Sequence, residues 1–85
     1  MKVDEFEKRV LEVEEVIIRV RCGTNTEIGN FEYQRQAGGG TSVSDWLETR
    51  IKPLLDDHEV SVIDGGYARP QGRTLMRTLR DSYER

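Results

Sequence analysis

The stretch "VIIRVRCGTNTEIGNFEYQRQ", residues 16–36, decides what kind of sheet this chain builds. Its first seven residues alternate Val16, Ile18, Val20 and Cys22 with Ile17, Arg19 and Arg21, and β-branched side chains dominate. That spacing predicts a strand with one buried face and one partly polar face. Turn formers then crowd residues 23–30, after which Phe31, Tyr33 and Arg35 alternate with Glu32, Gln34 and Gln36. A second strand, joined to the first by a long-looped hairpin, is the expected result.

Upstream, Val3, Phe6, Val10 and Val13 recur at intervals of three and four, with Glu5, Glu7, Glu12 and Glu14 between them. An amphipathic helix over residues 3–13 follows from that period. Downstream, "AGGG" at 37–40 breaks the pattern, and Ser42 with Asp45 three residues on forms a capping box for a helix apolar at Val43, Trp46, Leu47, Ile51 and Leu54. Pro53 must kink or end that helix, because it lacks the backbone donor and collides with the preceding turn. "EVSVI" at 59–63 predicts a third strand, Val60 and Val62 inward, closed by Asp64-Gly65-Gly66. A last helix from about residue 74 is apolar at Leu75, Met76, Leu79 and Tyr83, and Pro70 at a first helical position would permit an earlier start.

The resulting order is αββαβα in a single small α+β domain spanning residues 1–85. A strand reached through a helical crossover normally runs parallel to the strand it left, with right-handed connection. The expectation is therefore a three-stranded sheet of order 2-1-3 with helices packed on one face. The other face, carrying Ile17, Arg19, Arg21 and an aromatic from the second strand, is too mixed for a core and too apolar to be wholly wet. It reads as a subunit interface or a ligand face.

The chain holds 35% apolar and 34% charged residues, a thin apolar supply for 85 residues that must offset conformational entropy by burial. A homo-oligomer is expected on that ground. Residues 1–64 carry eight Lys/Arg and fourteen Asp/Glu, whereas residues 65–85 carry five arginines and two acids. A chain this acidic overall repels a nucleic-acid duplex, so a polymer of phosphates is a poor partner. The one cysteine forms no intrachain disulfide. The longest apolar run is residues 16–18, so no membrane segment is expected and a cytoplasmic location is, the host cytoplasm if the chain is phage-encoded.

The arginines of the C-terminal segment are the leading candidates for chemistry. On a continuous helix Arg73, Arg77 and Arg80 fall within about 60° of one another, a stripe able to grip one anion. Arg69 precedes them, and Arg85 ends the chain. Gly65, Gly66 and Gly72 permit close backbone approach, Thr74 marks a helix start with free N–H groups, Tyr67 offers a ring for stacking, and Arg19 and Arg21 supply further donors. The plainer alternative has these arginines pairing with the glutamate-rich first helix. Neither GxGxxG nor GxxxxGK[ST] is present, so no nucleotide fingerprint supports the glycines. One histidine, His58, and one thiol, Cys22, exclude a zinc site of several soft ligands. A Cys22–His58 nucleophile pair oriented by Asp56, Asp57 or Asp64 has no local feature that would activate the thiol. No cofactor is implied.

These features predict a non-enzymatic, homo-oligomeric binding protein that captures a small phosphorylated, nucleotide-like ligand through the glycine-rich loop and the arginine-lined last helix. Small, acidic, cysteine-poor chains of this size are common in phage genomes, and some sequester nucleotide signals of bacterial defence. The alternative is a protein–protein inhibitor or adaptor that docks a host enzyme through the acidic helix (Glu5, Glu7, Glu12, Glu14, Glu15) or the mixed sheet face.

Overall fold

The computed structural model describes residues 1–23 and 25–83, so Thr24, Glu84 and Arg85 lie outside the described residues, and with Arg85 the last of the five arginines. Five regular elements follow in order: α1 (Val3–Glu14), β1 (Ile17–Val20), α2 (Val43–Trp46), β2 (Val60–Ile63) and α3 (Met76–Ser82). α1 forms as its period requires and turns Val3, Phe6 and Val10 inward. It stops at Glu15, which adopts a left-handed φ of 57° and donates its N–H to the Leu11 carbonyl.

The described sheet has two strands rather than three, and they run antiparallel, with Ile17 opposite Ile63 and Val20 opposite Val60. The 2-1-3 order therefore fails. Residues 31–36 do not add a strand because the preceding loop finds its backbone partners elsewhere. Thr26 O accepts from Val3 N (3.1 Å), Met1 O from Ile28 N (2.9 Å) and Leu54 O from Gly29 N (2.8 Å). The loop thus crosses the start of α1, where Phe31 anchors it by meeting Phe6 edge to face at 5.7 Å. Residues 32–36 are all exposed, so the alternation there marks one buried aromatic and no strand face. The outer edge of β1 is also taken: Val20 N donates to Glu7 Oε2 at 2.8 Å. The long connection begins and ends at the same end of the ribbon, so the parallel crossover rule has no pair to govern.

Ser42 caps α2 as its position predicts, its Oγ accepting from Asp45 N at 3.1 Å. Pro53 ends the regular helix early. A wide π turn (Leu47–Ile51) and a tight 3-10 turn (Lys52–Leu54) absorb the break, and Thr49 Oγ1 bonds back to Asp45 O at 2.7 Å, a habit that bends helices.

α3 starts later than residue 74. Residues 71–74 form a turn, Thr74 N donating to Gln71 O at 3.0 Å, and the segment is tied to residues 41–44: Leu75 bridges Ser42, Val43 N donates to Thr74 O and Ser44 N to Gly72 O, the last two at 2.8 Å. Arg73 and Thr74 precede the helix, and the expected three-arginine helical stripe reduces to Arg77 and Arg80. The core joins α1, the inner face of the ribbon (Ile18, Val20, Val62), Trp46, Ile51, Leu55, Met76 and Leu79. Among the described residues no helix is long and apolar enough to cross a membrane.

Candidate functional site

Successive residues of a strand face opposite ways, so the β-ribbon that buries Ile18, Val20 and Val62 must present Ile17, Arg19, Ser61 and Ile63 on its outer face. This is the mixed face read from the sequence. Above it lies an open cleft of about 840 Å³, walled by Leu11 of α1 and Glu15 just after it, by the turn after β2, and by Tyr83 just past the end of α3. A second depression of about 530 Å³ shares Glu15 and Tyr83 with it and is lined by Arg77, Arg80 and Asp81.

The turn that rims the cleft is rigidly built. Asp64 Oδ1 accepts from Gly66 N (2.8 Å) and Ala68 N (3.0 Å), while Tyr67 N returns to Asp64 O and Asp64 N to Ala68 O. Those bonds hold Tyr67 at a φ of 62°, a conformation a bulky residue seldom adopts. The residue is 92% exposed. A strained backbone that projects an aromatic side chain into water is expected at a recognition surface rather than in a purely structural turn.

Tyr83 joins the last helix to the ribbon. Its hydroxyl accepts from Ile17 N at 3.1 Å and donates to Ile63 O, so it is inserted between two residues that face each other across the ladder. Burial pushes the Tyr83 phenol above its ordinary pKa, the Ile17 N–H opposes that in part, and the Asp64 charge adds to it. A raised folded pKa means that the unfolded tyrosine ionises first. The stabilisation is full below about pH 10 and is lost as pH rises through the folded value. Tyr83→Phe is expected to cost about 1–2 kcal/mol at neutral pH and to remove this part of the alkaline loss. Thermal melts of both proteins from neutral to strongly alkaline pH measure it.

Arg80 has another task. Glu14 is fully buried; its Oε2 accepts from Arg50 Nη1 at 2.8 Å, and its Oε1 accepts from Arg80 Nη2 at 3.2 Å and from Ala37 N at 2.7 Å. Arg80 Nε also donates to the Glu14 carbonyl at 2.9 Å, which fixes the guanidinium as an internal cross-link. Arg50 in turn stacks over the Tyr33 ring at 4.2 Å. Glu14 was legible in the sequence only as a helix-surface acid. Yet it stands four residues after Val10, on the buried stripe, and that position was the available signal.

The other expected site residues divide between two sides of the molecule. Arg19, Tyr67, Arg77 and Arg80 surround Tyr83. Arg21 and Arg69 line a groove of about 450 Å³ with Lys52 and His58, and Arg69 with Gly72 lines a smaller adjoining slot. Arg73 bonds Gln71 Oε1 at 3.2 Å, and Thr74 contributes its carbonyl to α2. Among the described residues Arg19 and Arg21 make only long ion pairs, with Glu7 at 3.7 Å and Glu59 at 4.0 Å. Arg69 and Arg77 make none among the described residues. Gly72 permits the approach of two backbones, since a Cβ there would lie 3.2 Å from Ser44 Cβ.

No family model matches the chain, and no curated protein or solved structure matches it. What is defined is a class: a small α+β domain whose two-stranded ribbon floors a cleft with aromatic walls and cationic edges. The geometry of that cleft carries the functional argument.

Proposed function

We propose that this protein is a non-enzymatic binder that captures a small phosphorylated ligand of nucleotide type in the cleft over the outer face of the ribbon. The observation that carries the reading is the juxtaposition of an apolar floor and two aromatic walls with cations at separate edges. Ile17 and Ile63 form the floor, and Tyr67 and Tyr83 the walls, a combination that suits a planar base. Arg19 at one edge and Arg77 in the adjoining depression are the cations left for phosphate oxygens, since Arg80 is held by Glu14. Sequestration of a nucleotide signal, the anti-defence role that size and composition suggest, asks for binding without turnover.

Calorimetric titration with adenine and guanine nucleotides, cyclic dinucleotides and the matching nucleosides tests this. Micromolar binding of at least one phosphorylated ligand, and of no nucleoside, is expected. Arg77→Ala and Arg19→Ala are each expected to weaken it ~10-fold or more, the loss of one charge-assisted bond. A folded protein that takes up none of these ligands, or binding indifferent to both substitutions, removes the reading.

Docking of a protein partner is a second reading, favoured by Leu11 (48% exposed) and Tyr67 standing on one face. The acidic-helix form of that reading has less support. Glu7 and Glu14 are engaged inside the fold, which shrinks the acidic surface of α1.

A further inference from the structure

The cleft and the exposed ring beside it belong to one face, and together they have the form of a knob next to a hole. Tyr67 stands on a turn closed by four hydrogen bonds, which fix its backbone and leave its side chain exposed beside the cleft. The cleft next to it has an apolar floor of Ile17 and Ile63, an apolar edge in Leu11, and no described side chain of the same molecule filling it. A two-fold contact requires one surface to carry both members of each interacting pair. This face does so in shape and in charge: Tyr67 answers the cleft, and the Arg19 cation answers the carboxylate of Asp64.

We infer that this face is the docking surface for a second copy of the chain, with the Tyr67 ring of each copy inserted into the cleft of the other. Each cleft is then a pocket shared by two chains, its floor from one and its aromatic lid from its partner. Rigid aromatic side chains that enter a partner's pocket are the usual centres of interface energy, because they bury much apolar area at small entropic cost. The thin apolar supply of the single chain agrees with a protein that completes its burial by association. The Arg77 depression is lined by neither Tyr67 nor the two isoleucines of the cleft floor, so the inserted ring does not occupy it. The inserted ring takes the space proposed for the base, so a second copy and the ligand compete for this cleft, and the inference does not need the ligand to exist.

Sedimentation velocity of ligand-free protein, from micromolar to hundreds of micromolar, tests it. Reversible dimerisation is expected, and Tyr67→Ala is expected to weaken it by at least ~30-fold, the scale of an interface hot spot. Leu11→Arg blocks the mouth of the cleft from an exposed position and is expected to weaken it similarly. Circular dichroism confirms that both variants fold. Mixing the two variants is the sharper measurement. One keeps an open cleft without the ring, the other the ring without an open cleft, so a 1:1 mixture is expected to form heterodimers that neither forms alone. A wild-type monomer at every concentration overturns the inference. So does a Tyr67→Ala protein that dimerises as well as wild type, or a mixture that stays monomeric. Nucleotide binding by such a monomer leaves the ligand reading standing, and dimerisation without any nucleotide binding removes that reading alone.

Discussion

Glu14→Ala is expected to lower the unfolding free energy by about 3–5 kcal/mol, the larger part of what a domain of this size has in reserve. The carboxylate is wholly buried, and both of its charged partners are mostly so, Arg80 at 11% side-chain exposure. Removing the anion leaves two guanidinium groups close together with no counter-charge, and strips Ala37 N of its acceptor. Desolvation that the ion triad offsets in the intact protein then stands uncompensated. The midpoint of thermal unfolding is expected to fall by ~4–8 °C per kcal/mol. Glu14→Gln retains an acceptor oxygen for Ala37 N but loses the charge, so it should fall between wild type and Glu14→Ala. Urea titrations followed by circular dichroism read all three. A loss under ~1 kcal/mol for Glu14→Ala would place the triad with exposed surface pairs. The same geometry makes Arg80→Ala a poor probe of ligand binding, because any loss of affinity would mix with loss of the fold.

Gly65→Ala is the second large effect expected, and its cause is steric. No glycine of the described chain needs a positive φ. At Gly65 the constraint is distance: a Cβ would sit 1.7 Å from Ser82 O and 2.4 Å from Ser82 C, both backbone atoms. Neither can swing aside as a side chain would. The end of α3 must lift, breaking the 2.9 Å bond from Gly65 N to Ser82 Oγ and drawing Tyr83 out of the ladder. Overpacking of this kind typically costs 1–3 kcal/mol, and loss of the two Tyr83 hydrogen bonds adds ~1 kcal/mol or more. The functional consequence is larger, since Tyr83 walls both the cleft and the Arg77 depression. Gly65→Ala is expected to abolish ligand binding while Gly66→Ala, whose Cβ meets only Asp64 Oδ1 at 3.4 Å, leaves most of it. Equal behaviour of the two variants in calorimetry and melting would show that the α3 end is not pinned here.

Much of the local structure was legible from spacing. The apolar period of α1, the alternation of β1 and β2, the Ser42 cap and the Pro53 break all rest on contacts within a few residues, where propensity and capping act directly. The mixed outer face, carrying Ile17 and Arg19, was legible for the same reason, because alternation alone assigns a residue to one side of a strand. Residues 31–36 carried the same kind of signal and did not form a strand. Their alternation was genuine, but backbone partners had already been found at Met1, Val3 and Leu54.

The sequence by itself therefore determined most of the regular segments, which faces are apolar and where the charge lies, since each depends on neighbours along the chain. Tertiary structure decided the pairing and the assignments of single side chains. It set β2 antiparallel to β1, placed Arg80 on a carboxylate 66 residues away, and brought Gly65 against Ser82. It also divided one expected arginine cluster between two sides of the molecule. The physical reason is that a guanidinium or a strand edge takes the strongest partner that the packed core brings within reach, and that partner is chosen by the path of the whole chain.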